Sequence, residues 1–111
     1  MFDQFYTTLE SLGIVPVVVL DKVEDAAPLA HALMAAGMKS AEVTFRTACA
    51  AECIAAMAEA EPEMWVGAGT VLTVEQVEQA RAAGAKFIVS PGYNEDVVNH
   101  CIDIDLPVLP G

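Results

Sequence analysis

A carboxylate, an arginine and two hydroxyls fall within six consecutive residues, Glu42-Val43-Thr44-Phe45-Arg46-Thr47, in a chain with only two arginines. Charge is costly on segments that build a core, so a glutamate inside a strand-like run needs a partner or a function. Strand alternation sets Glu42 and Thr44 on one side and Val43 and Phe45 on the other. A carboxylate held there can carry a proton, and an arginine just past the strand end can fork onto a carboxylate or phosphate. A plain Glu42–Arg46 salt bridge accounts for the same residues, and spacing alone does not choose between the two. Gly67-Ala68-Gly69-Thr70 is the second candidate: its glycines let backbone approach a ligand, and a hydroxyl stands at the turn. It lacks both the final glycine of a dinucleotide fingerprint and the lysine of a P-loop, which argues against a nucleotide site.

These residues must be positioned by regular elements. Phe2, Phe5, Leu9 and Leu12 mark one face of a helix over 2–12, ended by Gly13. Ile14–Leu20 reads as a continuous apolar strand of the kind buried on both faces of a parallel sheet. Asp21-x-x-Glu24 is expected to cap a helix over Glu24–Ala36, with Pro28 in its first turn and Gly37 closing it. Lys39–Phe45 is the second strand, and Thr47 is expected to cap a helix over Ala48–Ala60. A third strand over Met64–Ala68 leads to the capping box Thr73-x-x-Gln76, opening a helix that ends at Gly84. Lys86–Val89 is the fourth strand, Asn94 caps a helix over Glu95–Ile102, and Leu106–Leu109 is the fifth strand. Regular alternation with short loops implies parallel strands and right-handed helical crossovers. A flavodoxin-like open sheet and the first half of a (β/α)8 barrel both fit. In either, function belongs at the C-terminal strand ends, where polar, proline and glycine residues concentrate.

Composition narrows the partners. At 111 residues, 55% apolar and 19% charged, the chain is one ordered domain. Its net charge of −11 argues against nucleic acid and anionic membrane surfaces. No basic segment precedes an apolar run at the N-terminus, and no run is long enough to span a bilayer. Three cysteines without a secretion signal read as reduced thiols of a cytoplasmic protein. Cys49 and Cys53, i,i+4 on a helix, read as small apolar core residues rather than a metal pair. His31 and His100 fall on helices away from the strand ends and read as surface or packing residues. Asp103 and Asp105 read as a solvated loop, and Lys39 and Lys86 sit at strand starts, on the stability face.

Four motifs occur in order: Glu42–Thr47, Val66-Gly67-Ala68-Gly69-Thr70-Val71-Leu72, Ile88-Val89-Ser90-Pro91-Gly92 and Leu106-Pro107-Val108-Leu109-Pro110-Gly111. Together, from about Gly13 onward, they closely resemble the 2-keto-3-deoxy-6-phosphogluconate (KDPG) / 4-hydroxy-2-oxoglutarate (KHG) aldolases. Sister aldolases acting on the phosphogalactonate epimer are similar too, but Arg46 favours the phosphogluconate branch. The resemblance implies a trimeric (β/α)8 barrel and class I chemistry. A lysine forms a Schiff base with a 2-keto acid, and retro-aldol cleavage releases pyruvate and glyceraldehyde 3-phosphate or glyoxylate. It implies a general acid/base role for Glu42, a grip on the substrate carboxylate for Arg46, contact with the pyruvyl part for Thr70, and a pocket-lining place for Pro91. It implies no cofactor and no metal, because the imine withdraws the electrons. The family's Schiff-base lysine is on the sixth strand, beyond Gly111, and its phosphate loops are on the seventh and eighth. Lys22, Lys39 and Lys86 match none of that motif; Lys22, a loop residue, is the only one at the mouth. The chain is therefore expected to be the N-terminal portion of a barrel and inactive alone. The alternative is a non-catalytic half-barrel serving as an oxo-acid site or an assembly module.

Overall fold

A computed structural model describes residues 2–111. Helix α1 (Asp3–Leu12) precedes strand β1 (Val17–Val18). A 3-10 turn (Val23–Asp25) leads into α2 (Ala26–Ala35), then β2 (Ser40–Thr44), α3 (Ala50–Ala60), β3 (Trp65–Gly69), α4 (Val74–Ala83), β4 (Ile88–Ser90), α5 (Glu95–Asp103) and β5 (Val108–Pro110). The strands form one parallel sheet in the order β1-β2-β3-β4-β5. That order decides between the two architectures. A flavodoxin-like sheet reverses direction at a switch point and carries helices on both faces. Here every crossover steps the same way, and α2, α3, α4 and α5 pack side by side in one layer. The arrangement is the first half of a (β/α)8 barrel.

The core lies between that layer and one sheet face. Ala41, Val43, Val66, Ala68, Ile88 and Val108 meet Ala30, Ile54, Met57, Val77, Val97 and Cys101 there. Small residues on the strands let the helices approach closely, and each fully buried Val or Ile contributes roughly 1.5–3 kcal/mol. The opposite, concave face carries Val17, Glu42, Thr44, Gly67, Gly69, Phe87 and Val89, by register and alternation. Its lower end is plugged by α1. Phe5 is buried, with its ring centroid 5.4 Å from Phe87 and 5.9 Å from Trp65. Phe87 in turn lies against Gly67, where a Cβ would strike its ring.

Local signals held where their partners are local. The Thr73 hydroxyl accepts from the Gln76 N–H at 3.1 Å, and Gln76 returns a bond to the Leu72 N–H at 2.7 Å. Asn94 caps α5 through the Val97 N–H at 3.1 Å. Gly37 and Gly84 close their helices with positive φ, +83° and +101°, and Asp105 does the same after α5 at φ 57°. Asp105 thus belongs to a helix stop.

Three expectations are corrected. Ile14–Leu20 is not buried on both faces: Ile14 is 66%, Val17 62% and Val19 48% exposed, and only Val17–Val18 pairs as strand. Pro16 cannot donate, its carbonyl accepts from the Glu42 N–H at 2.8 Å, and the far edge has no neighbour among the described residues. Asp21 makes no cap bond; the chain enters α2 through the 3-10 turn instead. Thr47 does not cap α3, whose N-cap is Cys49; its hydroxyl donates to the Leu20 carbonyl at 2.7 Å and ties β2's exit to β1's.

Candidate active site

Glu42 is the third residue of β2, half-buried on the concave face. Its side chain crosses to β3 and lies over Gly69, so that a Cβ there would meet the carboxylate. Gly67 and Gly69 therefore make room for side chains of this chain, Phe87 and Glu42. That function was hidden in the sequence, where they read as ligand-approach glycines.

Burial raises the Glu42 carboxyl above its ordinary range, while the Arg46 guanidinium pulls it partly back. Arg46 is exposed just past the end of β2, and no ion pair joins it to Glu42 among the described residues. A closed salt bridge is thus not what holds Glu42, and the guanidinium keeps its donors available to an incoming anion.

The raised carboxyl has a consequence for stability. Its charged form is less favourable in the folded chain than in the unfolded one, so protonation favours folding. The Glu42 contribution improves as pH falls through the folded-state value toward the unfolded one, opposite in sign to a paired carboxylate. Replacing it with Gln is expected to raise the thermal midpoint at pH 7. The gain should stay below about 1 kcal/mol because water still reaches the group. The difference between the two melting curves across pH 4–7 isolates Glu42 from the self-repulsion of the other acidic groups. An unchanged or lowered midpoint at pH 7 would contradict the argument.

Thr70 follows β3 directly and has φ 54°. A β-branched residue in the left-handed region is strained, typically by ~1–3 kcal/mol, and such strain collects at functional sites. The turn holds Thr70 at the strand end next to that of Glu42 and Arg46. Pro91 is exposed just past β4; Ser90 beneath it is buried, its Oγ donating to the Gly92 carbonyl at 2.8 Å. Glu42 within β2, and Arg46, Thr70 and Pro91 just beyond the C-terminal ends of β2, β3 and β4, thus stand on three adjacent strands. Thr44, expected on the same side of the strand as Glu42, is 1% exposed, and its Oγ1 has no hydrogen-bond partner.

The other chemistry-bearing residues are elsewhere. Lys86 Nζ donates to the Pro62 carbonyl at 3.0 Å and sits 5.5 Å from the Trp65 ring centre, at the opposite end of the sheet. Lys22 is exposed in the loop after β1. His31 pairs with Glu61 at 2.7 Å, and His100 stands 3.7 Å from Glu78, both in the helix layer. Cys53 is fully buried 3.7 Å from Cys49, and burial above all pushes its thiol up to about 12. A thiolate for a metal is disfavoured there. A cavity of about 160 Å³ opens at the α1 end, lined by Phe2, Gln4, Phe5, Trp65, Asp105 and Pro107. It has one charged residue and lies away from the C-terminal strand ends, where barrels of this kind place their chemistry.

The KDPG and KHG aldolase family model matches residues 6–111. The chain is 54% identical over 106 residues to the 2-dehydro-3-deoxy-phosphogluconate aldolase of Treponema pallidum, covering 96% of this chain and 50% of that protein. It is 45% identical over 98 residues to the KHG/KDPG aldolase of Escherichia coli K12, covering 88% and 46% respectively. The crystal structure of the 2-keto-3-deoxy-6-phosphogluconate aldolase of Zymomonas mobilis superposes with a TM-score of 0.82 at 45% identity, over 87% of this chain and 47% of that one. The KDPG aldolase of Legionella pneumophila, captured with pyruvate as a covalent carbinolamine, gives 0.83 at 39% identity and similar coverage. The chain spans about half the length of the curated relatives it matches. By sequence along almost its whole length and by fold, the chain belongs to the KDPG/KHG aldolase family.

Proposed function

We propose that this chain supplies the proton-transfer and carboxylate-binding half of a class I aldolase acting on KDPG, KHG or both. The observation that carries the reading is the Glu42 carboxyl, laid over Gly69 with its proton affinity raised by burial and Arg46 nearby. In this reading Glu42 moves protons to and from the substrate hydroxyl and the enamine carbon. A carboxyl shifted toward neutrality suits both directions of that transfer. Arg46 forks onto the 2-keto acid carboxylate, the strained Thr70 turn presents its hydroxyl to the pyruvyl part, and Pro91 lines the pocket. The electrophile is an imine on a lysine of the complementary half, corresponding to the family's sixth strand. The Legionella relative's carbinolamine is the step before such an imine. No cofactor or metal enters. The complete protein is a cytoplasmic homotrimer, and residues 1–111 form the N-terminal portion of each barrel.

The test is borohydride trapping with pyruvate, read by mass spectrometry. The chain alone is expected to give no pyruvyl adduct. Mixed or co-expressed with the C-terminal half of the Treponema pallidum relative, it is expected to give one adduct, on a lysine of that half. An adduct on Lys22 would overturn the assignment of the electrophile. A complex that binds pyruvate without trapping it would favour an oxo-acid-binding module. The exposure of Ile14, Val17 and Val19 on β1 favours an assembly role within that second reading.

A further inference from the structure

Two thiols of this chain are in contact: Cys49 Sγ and Cys53 Sγ lie 3.7 Å apart. Residues four apart share one face of a helix, which brings the pair together. Cys49 is the N-cap of α3 and half-buried, so a small reagent can reach it; Cys53, one turn on, is fully buried. A disulfide needs the sulfurs about 2.05 Å apart. The remaining closure falls on Cys49, whose side chain caps nothing and whose ψ of 11° places it outside the regular helix.

The side chain of Cys49 has another contact. Its S–H donates to the Leu20 carbonyl at 3.3 Å, and the Thr47 hydroxyl donates to the same carbonyl at 2.7 Å. The Cys53 S–H points at the Lys22 carbonyl from 4.0 Å. Leu20 and Lys22 are in the segment after β1, and Thr47 follows Arg46 directly. A disulfide has no S–H, so oxidation removes both thiol donors and leaves the Leu20 carbonyl to Thr47 alone.

We propose that Cys49 and Cys53 form a redox modification site, closed by a small-molecule disulfide, whose closure loosens the tie between the exits of β1 and β2. The proposal is independent of the aldolase reading. Burial above all, and then Cys49 itself and the Glu52 and Asp25 carboxylates, hold the proton on Cys53, so Cys49 reacts first. Its thiolate attacks one sulfur of the reagent; the reagent's S–S bond breaks, a mixed disulfide forms, and one small thiolate leaves and takes up a proton. Cys53 then gives up its proton and attacks the Cys49 sulfur, expelling the second small thiolate, which is protonated in turn. The protein loses two hydrogens and two electrons, and the reagent is reduced to two thiols. Contact between the two sulfurs makes the second step intramolecular, which offsets the poor ionisation of Cys53.

The experiment exposes the folded chain to glutathione disulfide, quenches with acid, alkylates the remaining thiols and maps all three cysteines by mass spectrometry. The chain is expected to lose the mass of two hydrogens, with Cys49 joined to Cys53 and Cys101, buried on α5, alkylated. Dithiothreitol should restore the free thiols. Cys53→Ala should stop at the mixed disulfide on Cys49. In the oxidised chain the carbon-13 resonance of the Leu20 carbonyl should move, because that oxygen has lost a donor. A stable mixed disulfide on Cys49 of the unaltered chain, three thiols left free, or a bridge that forms only in urea would each overturn the site. An unmoved Leu20 resonance in the bridged chain would overturn its link to the strand exits. The unaltered chain decides by itself should the variant not fold.

Discussion

In the aldolase assembled from this chain and a complementary C-terminal half, Glu42→Gln is expected to lower kcat by roughly 10²–10⁴-fold, the usual contribution of a positioned acid/base group. Imine formation does not need Glu42 in the proposed scheme, so borohydride should still trap pyruvate. What should collapse is exchange of the pyruvate methyl protons with D2O, because that exchange is proton transfer at the enamine carbon. The same substitution is expected to stabilise the fold, since it removes a carboxylate whose charged form burial disfavours. Lower activity with a higher melting point cannot arise from unfolding. Full retention of methyl exchange in the Gln variant would refute the role given to Glu42.

The largest expected effect on stability is at Phe87. Its ring is 1% exposed, lies against the bare backbone of Gly67 and contacts Phe5. Truncation to Ala should cost about 3–5 kcal/mol, from lost transfer energy and from a cavity that the rigid sheet cannot collapse to fill. Domains of this size are stable by only about 5–15 kcal/mol, so the variant should unfold at a far lower urea concentration. It should also release α1 early, because Phe5 is that helix's only fully buried side chain. Gly67→Ala pushes a methyl into the same ring and should cost about 1–3 kcal/mol. Combined with Phe87→Ala, that methyl enters vacated space, so the two costs should fall short of additive. Additive costs, or a Phe87→Ala loss under about 1 kcal/mol, would show that the ring is not the plug of the concave face.

Legibility followed the range of the interactions. Thr73 with Gln76, Asn94, Gly37 and Gly84 were readable because their partners are within a few residues. Thr47 also looked like a helix cap, but its hydroxyl goes to Leu20, which only the folded sheet brings near. Ile14–Leu20 looked buried on both faces because apolar content reports what a strand can bury, while exposure depends on what stands opposite. At the candidate site, residue types singled out Glu42, Arg46 and Thr70, and the parallel sheet brings them to adjacent strands. Gly69 as the seat of the Glu42 carboxyl and Thr44 as an unsatisfied hydroxyl were not legible, since both depend on the register between β2 and β3.

The uniform stepping of the strands also bears on how the chain folds. Val18 pairs with Val43 and Ile88 with Val108, separations of 25 and 20 residues. Each new strand thus finds its partner in the unit made just before it. Loop-closure entropy is met in small, similar instalments, and short contact separation favours fast folding. Growth resembles the addition of repeats, each resting on its predecessor. The sheet bearing Glu42 is thus built to form strand by strand, each new strand docking on the one before it.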